Sequence, residues 1–398
     1  MKKKPPSSTS LIAHAYAPPP GFESVQPAVH KASTVVFRNA AALRARSWKE
    51  KTGYTYGLHG TPTTFTLEER IATLEGGTST LLVPSGLAAI TLVGAALLRA
   101  GDEILIPDNV YGPSRELARN ELAAWGIAHR SYDPMDLASL AAALSPATRL
   151  VWLEAPGSVT MEFPDLPALV DEVRRRPGVT VAIDNTWGAG LAFDPFDLGG
   201  SRAVDVSVQA LTKYPSGGGD VLMGSVTTRD PSLHQRLKAT HMRMGWGVGA
   251  NDVEAVLRSL PSLAVRYAAQ DRAGRELAGW WSKRPEVTAV LHPALAGSPG
   301  HEHWQALCSQ AAGLFSVVFD ARFATRQVDA FVDALKLFRI GYSWAGPASL
   351  VVPYDLAAMR PQASAQGGGV VRFSLGLEDV ADLVADCEQG LKALDRPA

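Results

Sequence analysis

The chain has 398 residues, 46% hydrophobic and 19% charged, more than one core comfortably holds, so two domains are expected. Its net charge of -1 gives no electrostatic case for nucleic acid or an anionic membrane, which leaves a small molecule as the expected partner. Cys308 and Cys387 form no CxxC or Cys/His cluster, so neither a disulfide framework nor a metal site is expected, and a reducing cytoplasm fits.

The N-terminal MKKKPPSSTS is basic but is followed by no apolar segment of signal-peptide length, and no window holds about 18 uninterrupted apolar residues. A soluble, unprocessed chain with a frayed basic end is the expectation. Residues 1–60 read as an irregular arm rich in Pro, Ser and Ala. Beyond it, strands are predicted at Thr80 to Val83, Glu103 to Ile106, Ala128 to Tyr132, Leu150 to Glu154, Thr180 to Asp184, Val204 to Gln209 and Leu222 to Thr227. Amphipathic helices are predicted between them at Leu87 to Arg99, Ser114 to Trp125, Asp136 to Leu144 and Leu166 to Arg175. This alternation predicts an α/β fold with a mainly parallel, doubly wound sheet over 61–255. A helix-rich stretch from Asp252 to Trp281 then leads into a smaller α/β domain, so that 256–398 form the second unit.

Lys213 is the most telling residue. It follows the half-buried pattern VDVSVQ and is hemmed by small polar residues and glycine, where desolvation lowers an amine's pKa and frees its lone pair. Such amines condense with carbonyls, and pyridoxal phosphate is the commonest carbonyl cofactor. The bland alternative is a satisfied lysine at a strand end. Asp184 closes the apolar strand VTVAID, at the strand end where α/β sheets bind ligands, and could hold a pyridine nitrogen protonated, although DN pairs are often only turns. Ser85, Gly86 and Leu87 lie between the strand LLVP and the helix AAITLVGAALL, so free N–H groups there could hold a phosphate, or Ser85 could be a simple cap. Arg372 sits in the apolar strand VVRFSLG, where a guanidinium either grips a ligand carboxylate or pairs with an acid such as Glu378.

The segments YGLHGTPTTFTLEERIATLEGG, PSGLAAI, NVYGPS, LEAPGSVTME, AIDNTWGAG, VQALTKY, YSWAGPASL and VVRFSLGLEDVADL occur in this order between Thr34 and Leu394. Together they resemble the Cys/Met-metabolism family of fold-type-I pyridoxal-phosphate enzymes, and within it the bacterial cystathionine β-lyases most. The resemblance implies that Lys213 carries the cofactor and that Asp184 faces its pyridine nitrogen. It also implies that Tyr111 stacks on the ring and that Ser207 and Thr212 join Ser85, Gly86 and Leu87 at the phosphate. Arg372, Ser343 and Trp344 would line the substrate pocket. Tyr56, on the arm, would serve a neighbouring subunit's site, touching both its cofactor and its substrate, which implies a homo-oligomer, commonly a dimer of dimers.

The implied reaction is pyridoxal-phosphate-dependent β-elimination of L-cystathionine to homocysteine, pyruvate and ammonia, a step of transsulfuration and methionine biosynthesis. Pro113, where the resemblance implies that methionine γ-lyases usually carry a reactive cysteine, and the Ser343–Trp344 pair favour it over cystathionine or methionine γ-lyase, cystathionine γ-synthase and a sulfhydrylase. A cofactor-binding regulator on the same fold is the alternative of another class. Two departures stand out. HMRMGW, His241 to Trp246, leaves the distal substrate pocket open, and Leu58 occupies the place of an arginine that reaches the phosphate in relatives. The phosphate would then be balanced by Ser85, Ser207, Thr212, Tyr56 and helix N–H groups, or by His59 as an imidazolium whose pKa the phosphate raises, unless His59 is an ordinary turn histidine.

Overall fold

The computed structural model describes residues 21, 24–49, 51–356, 360 and 369–394. The lysine run at the N-terminus lies outside the described residues. Among its described residues the arm is irregular apart from the short helix α1 (Ala40–Arg44) and a 3-10 turn at Gly57–His59.

The first helix beyond the arm, α2 (Pro62–Glu75), starts where its sequence says it should. Thr61 caps it, Pro62 presets the first turn, and Gly76 ends it in the left-handed region at φ 73°. Strands β1 (Ser79–Val83), β2 (Glu103–Pro107), β3 (Ala128–Tyr132), β4 (Thr148–Glu154), β5 (Thr180–Asp184), β6 (Val206–Gln209) and β7 (Gly224–Thr228) form one sheet, ordered β1-β7-β6-β5-β4-β2-β3. Only β7 runs against its neighbours, so the sheet is mainly parallel. Both faces are covered. Leu150, Trp152, Ala182, Val206 and Val208 pack with Ala89, Ile90 and Val93 of α3 (Gly86–Leu97), whereas Val151, Leu153, Val181 and Ile183 face the opposite layer. This two-sided apolar pattern is what helix-covered parallel strands require.

The pleat also corrects the placing of Ser207. Its neighbours Val206 and Val208 point to the α3 side, so Ser207 and Gln209 point to the other, where both donate to the fully buried Glu75. Asn185 Nδ2 completes this network at 3.1 Å, and burial pushes the Glu75 carboxyl up to about 7 against those three hydrogen bonds. Ser207 is therefore a structural hydroxyl, on the face away from the start of α3.

After α4 (Gly112–Leu117), α5 (Leu137–Ala143), α6 (Leu166–Arg174) and α7 (Pro231–Met244), helix α8 (Ala250–Ser259) buries Val253, Val256 and Leu257 against Leu67 and Ile71 of α2. The expected boundary at 255/256 thus falls inside a helix that packs on the first unit. The change of layer follows it, at the long helix α9 (Leu263–Trp281), which carries Leu277 and Trp281 into the second core. That core is built on a five-stranded sheet ordered β10-β11-β12-β9-β8, from β8 (Val287–Leu291), β9 (Leu314–Phe319), β10 (Arg339–Ile340), β11 (Leu350–Tyr354) and β12 (Val370–Ser374). Phe315 and Phe373 stack at 5.4 Å within it. The other face of this sheet meets the first unit, where Ser316 Oγ donates to the Val159 carbonyl at 2.5 Å and Val159, Val318 and Val370 form a small apolar seam. That seam places Arg372, paired with Ser316 across β9 and β12, at the junction of the two units.

Candidate active site

Strand ends of the first sheet and one edge of the second converge on a cleft. Lys213 stands one turn beyond β6, its backbone N–H held by the Ala210 carbonyl at 3.0 Å. Its Nζ donates to Ser343 Oγ at 2.7 Å and lies 5.5 Å from the Trp344 ring. Burial first, then the Arg372 charge, lower its pKa from 10.5 to about 8, against the pull of Asp184. Neutral amine is accordingly abundant near pH 8, and the fraction falls about tenfold per pH unit below it. Reconstitution of apoenzyme with pyridoxal phosphate should speed up as pH rises through about 8 and then level off; a rate flat from pH 6 to 9 would contradict the lowered pKa.

Asp184 ends β5 and accepts from Thr186 N–H at 2.9 Å and Thr186 Oγ1 at 2.5 Å. Burial raises its pKa, while the Thr186 bonds and Lys213 favour the anion, and a cation bound opposite would act in the same sense. Glu154, its register partner on β4, is a group that the sequence reading missed. Its Oε2 accepts the Tyr111 N–H at 2.9 Å. Burial, and then Asp184, push it well above the usual carboxylate range. The available signal was its position, at the strand end of LEAPGS as Asp184 is of AIDN. Tyr111 begins α4, stays 43% exposed, and has its phenol pushed up by burial, Asp184 and Glu154, with Arg372 opposing, so it faces the same cleft.

The start of α3 has the form of an anion cradle. Ser85 Oγ accepts the Ala88 N–H at 3.0 Å, and the first intrahelical bond runs from Ala89 N–H to the Ser85 carbonyl. The N–H groups of Gly86 and Leu87 therefore precede the ladder and point outward. A Cβ on Gly86 would stand 2.6 Å from that of Ala210, and one on Gly224 2.3 Å from the Ser85 carbonyl, so only glycine lets this turn close against β6 and β7. Thr212 Oγ1 accepts from Met223 N–H at 3.1 Å, beside the same turn. A carbonyl-reactive amine, a carboxylate, an exposed tyrosine and an N–H cradle on one rim suit pyridoxal phosphate, and its pyridinium, when bound, supplies the electron sink.

Arg372 is 8% exposed, and among the described residues it meets no carboxylate at ion-pairing distance. Its Nη2 donates to the Ser343 carbonyl at 3.4 Å, and its Nε has no partner among them. The rival pairing with Glu378 is not made. Glu378 accepts instead from the N–H and hydroxyl of Ser349, both at 2.7 Å. Ser343 and Ala345 have φ of 99° and 67°, strain for non-glycine residues at the loop that faces Lys213. Trp344 packs edge-on against Tyr214.

Tyr56 is not brought to this cleft within one chain. It is 46% exposed on the arm, against His59 at 6.0 Å. Leu58 lines a water-sized cavity with Glu68, Lys238, His241 and Gly247, and a Cβ on Gly247 would stand 3.0 Å from it. Both departures therefore meet at this cavity, which His241 and Met242 of HMRMGW line together with Leu58, and His241 is fixed there by the Leu82 carbonyl at 2.9 Å. His59 Nδ1 bonds Thr55 Oγ1, and within the single chain burial, then Lys238 and Arg46, lower its pKa.

The sequence profile of the Cys/Met metabolism PLP-dependent enzymes matches residues 8–392. A putative cystathionine β-lyase of Rhizobium johnstonii is 40% identical over 93% of this chain and 91% of its own length. The cystathionine β-lyase of Escherichia coli K12 is 35% identical over 92% and 93%. Among solved structures, cystathionine γ-synthase of Xanthomonas oryzae pv. oryzae, in complex with aminoacrylate and cysteine, superposes with a TM-score of 0.84 at 29% identity, covering 94% of each chain.

Proposed function

This chain belongs to the Cys/Met metabolism PLP-dependent enzymes, and from that premise we propose that it cleaves L-cystathionine by β-elimination to homocysteine, pyruvate and ammonia. It is a pyridoxal-phosphate-dependent carbon–sulfur lyase on the fold of the cystathionine synthases and lyases. One observation carries the reading: a buried arginine that meets no acid among the described residues and shares Ser343 as a hydrogen-bond partner with an amine of lowered pKa. In it, Arg372 grips the substrate α-carboxylate through its two-pronged edge. Lys213, about half neutral at pH 8, takes the Cα proton, and homocysteine leaves Cβ as the thiolate, which then takes up a proton. The three-carbon fragment adds water and gives pyruvate and ammonia. Asp184 supplies the anion behind the ring, Glu154 fixes the Tyr111 backbone, and the N–H groups of Gly86 and Leu87, with Ser85 and Thr212, hold the phosphate. Trp344 helps to keep water from the Lys213 amine.

Scission at Cβ rather than Cγ is supported by the names of the relatives and by Pro113 in the first turn of α4. Cys308 and Cys387 both pack into cores, away from that turn. With L-cystathionine as substrate, pyruvate and homocysteine should be the products, and predominant 2-oxobutyrate and cysteine would place the chain among the γ-lyases.

The same reading puts Tyr56 in the site of a second copy. Val36, Leu43, Tyr54 and Tyr56 of the arm are all more than 40% exposed, an apolar strip of the kind that a partner covers. A homotetramer arranged as a dimer of dimers, acting in cytoplasmic methionine biosynthesis, is proposed. Sedimentation of active enzyme as a monomer would overturn it.

A further inference from the structure

We propose that Tyr354 is the positioning residue that holds the Arg372 guanidinium edge-on to the cleft, and so sets the affinity of this chain for the α-carboxylate of its substrate. The inference rests on the reading of Arg372 as the carboxylate receptor.

Tyr354 ends β11 opposite Val370 of β12, and Arg372 lies two residues further along, opposite Val352. The two side chains are therefore diagonal neighbours on one face of an antiparallel pair, within reach of long and aromatic groups. The guanidinium carbon lies 5.3 Å from the Tyr354 ring centroid, in the cation–π range. Hydrogen bonds cannot fix this guanidinium: one is long, at 3.4 Å, and Nε has no partner among the described residues. The ring remains as the group that defines its plane. Because the donors of a guanidinium radiate in its plane, a guanidinium laid flat over the Tyr354 ring would keep its two-pronged edge open to a carboxylate. Burial pulls the Arg372 pKa down, while Tyr354, Tyr111 and Tyr342 oppose it, in that order. Tyr342, 80% exposed at the mouth, braces Tyr354 from outside at 6.5 Å. A leucine at 354 would suit the strand equally well but would leave the guanidinium face bare.

The test uses holoenzyme carrying Tyr354→Leu, Tyr354→Met and Tyr354→Phe. Leu and Met should each raise KM for L-cystathionine about tenfold, equivalent to about 1.4 kcal/mol, with kcat within about threefold of wild type; Phe should restore KM. The Kd for L-alanine, read from the visible absorbance of the cofactor, should weaken in parallel, while binding of ethylamine, which lacks the carboxylate, should not change. Unchanged KM in the Leu and Met variants, a loss confined to kcat, a Phe variant as impaired as Leu, or failure of both Leu and Met to fold would each overturn the proposal. Arg372→Lys separates the two levels. If it raises KM while Tyr354→Leu is silent, only the role of Tyr354 fails; if Arg372→Lys is itself silent, the carboxylate reading fails.

Discussion

Lys213→Ala is expected to abolish turnover of L-cystathionine and to remove the visible absorbance band of the bound cofactor. One amine is assigned two tasks, attachment of the cofactor and removal of the Cα proton, and alanine performs neither. Loss of a positioned general base alone costs about 10²- to 10⁴-fold in rate. Loss of the attachment should also weaken cofactor retention, so dialysis should strip the variant more readily than wild type. Because Lys213 lies beside Ser343 and Trp344 in a half-buried cleft rather than inside either core, the variant should still fold. Steady-state rates together with absorbance spectra check this, and a variant that kept a tenth of wild-type turnover would refute the assignment.

Arg372→Lys is the second substitution with a large expected effect. The guanidinium lies buried with no acid beside it among the described residues, an arrangement costly enough to persist only where a ligand anion completes it. A lysine retains the charge but not the two parallel donors. Each charge-assisted hydrogen bond contributes about 1.5–3 kcal/mol, so a fall in kcat/KM of about one to two orders of magnitude is expected, carried mainly by KM. Equal kinetics in the two proteins would make Arg372 structural.

Much of this was legible in the chain. The strand and helix periods, Lys213 after β6 and Asp184 at the end of β5 follow from local rules of pleat and strand end that need no distant partner. Ser207 was misplaced because the resemblance carried it to the phosphate, while the alternation of the strand, already visible in VSVQ, sends it to Glu75. The surroundings of His59 were not legible: burial, then Lys238 and Arg46 from elsewhere in the chain, lower its pKa.

What the sequence alone determined was the inventory of reactive groups and their order along an α/β chain, since these depend on residue type and short-range periodicity. Only the tertiary structure decided which of them share an environment. The lowered pKa of Lys213 arises from burial and from Arg372, 159 positions away. The freedom of Arg372 depends on Glu378 having turned to Ser349, the pairing of Glu154 with Asp184 on the register of β4 and β5, and the capping of Arg372 on the diagonal between β11 and β12. Solvation and charge are properties of what surrounds a group, and two units folded against each other supply those surroundings.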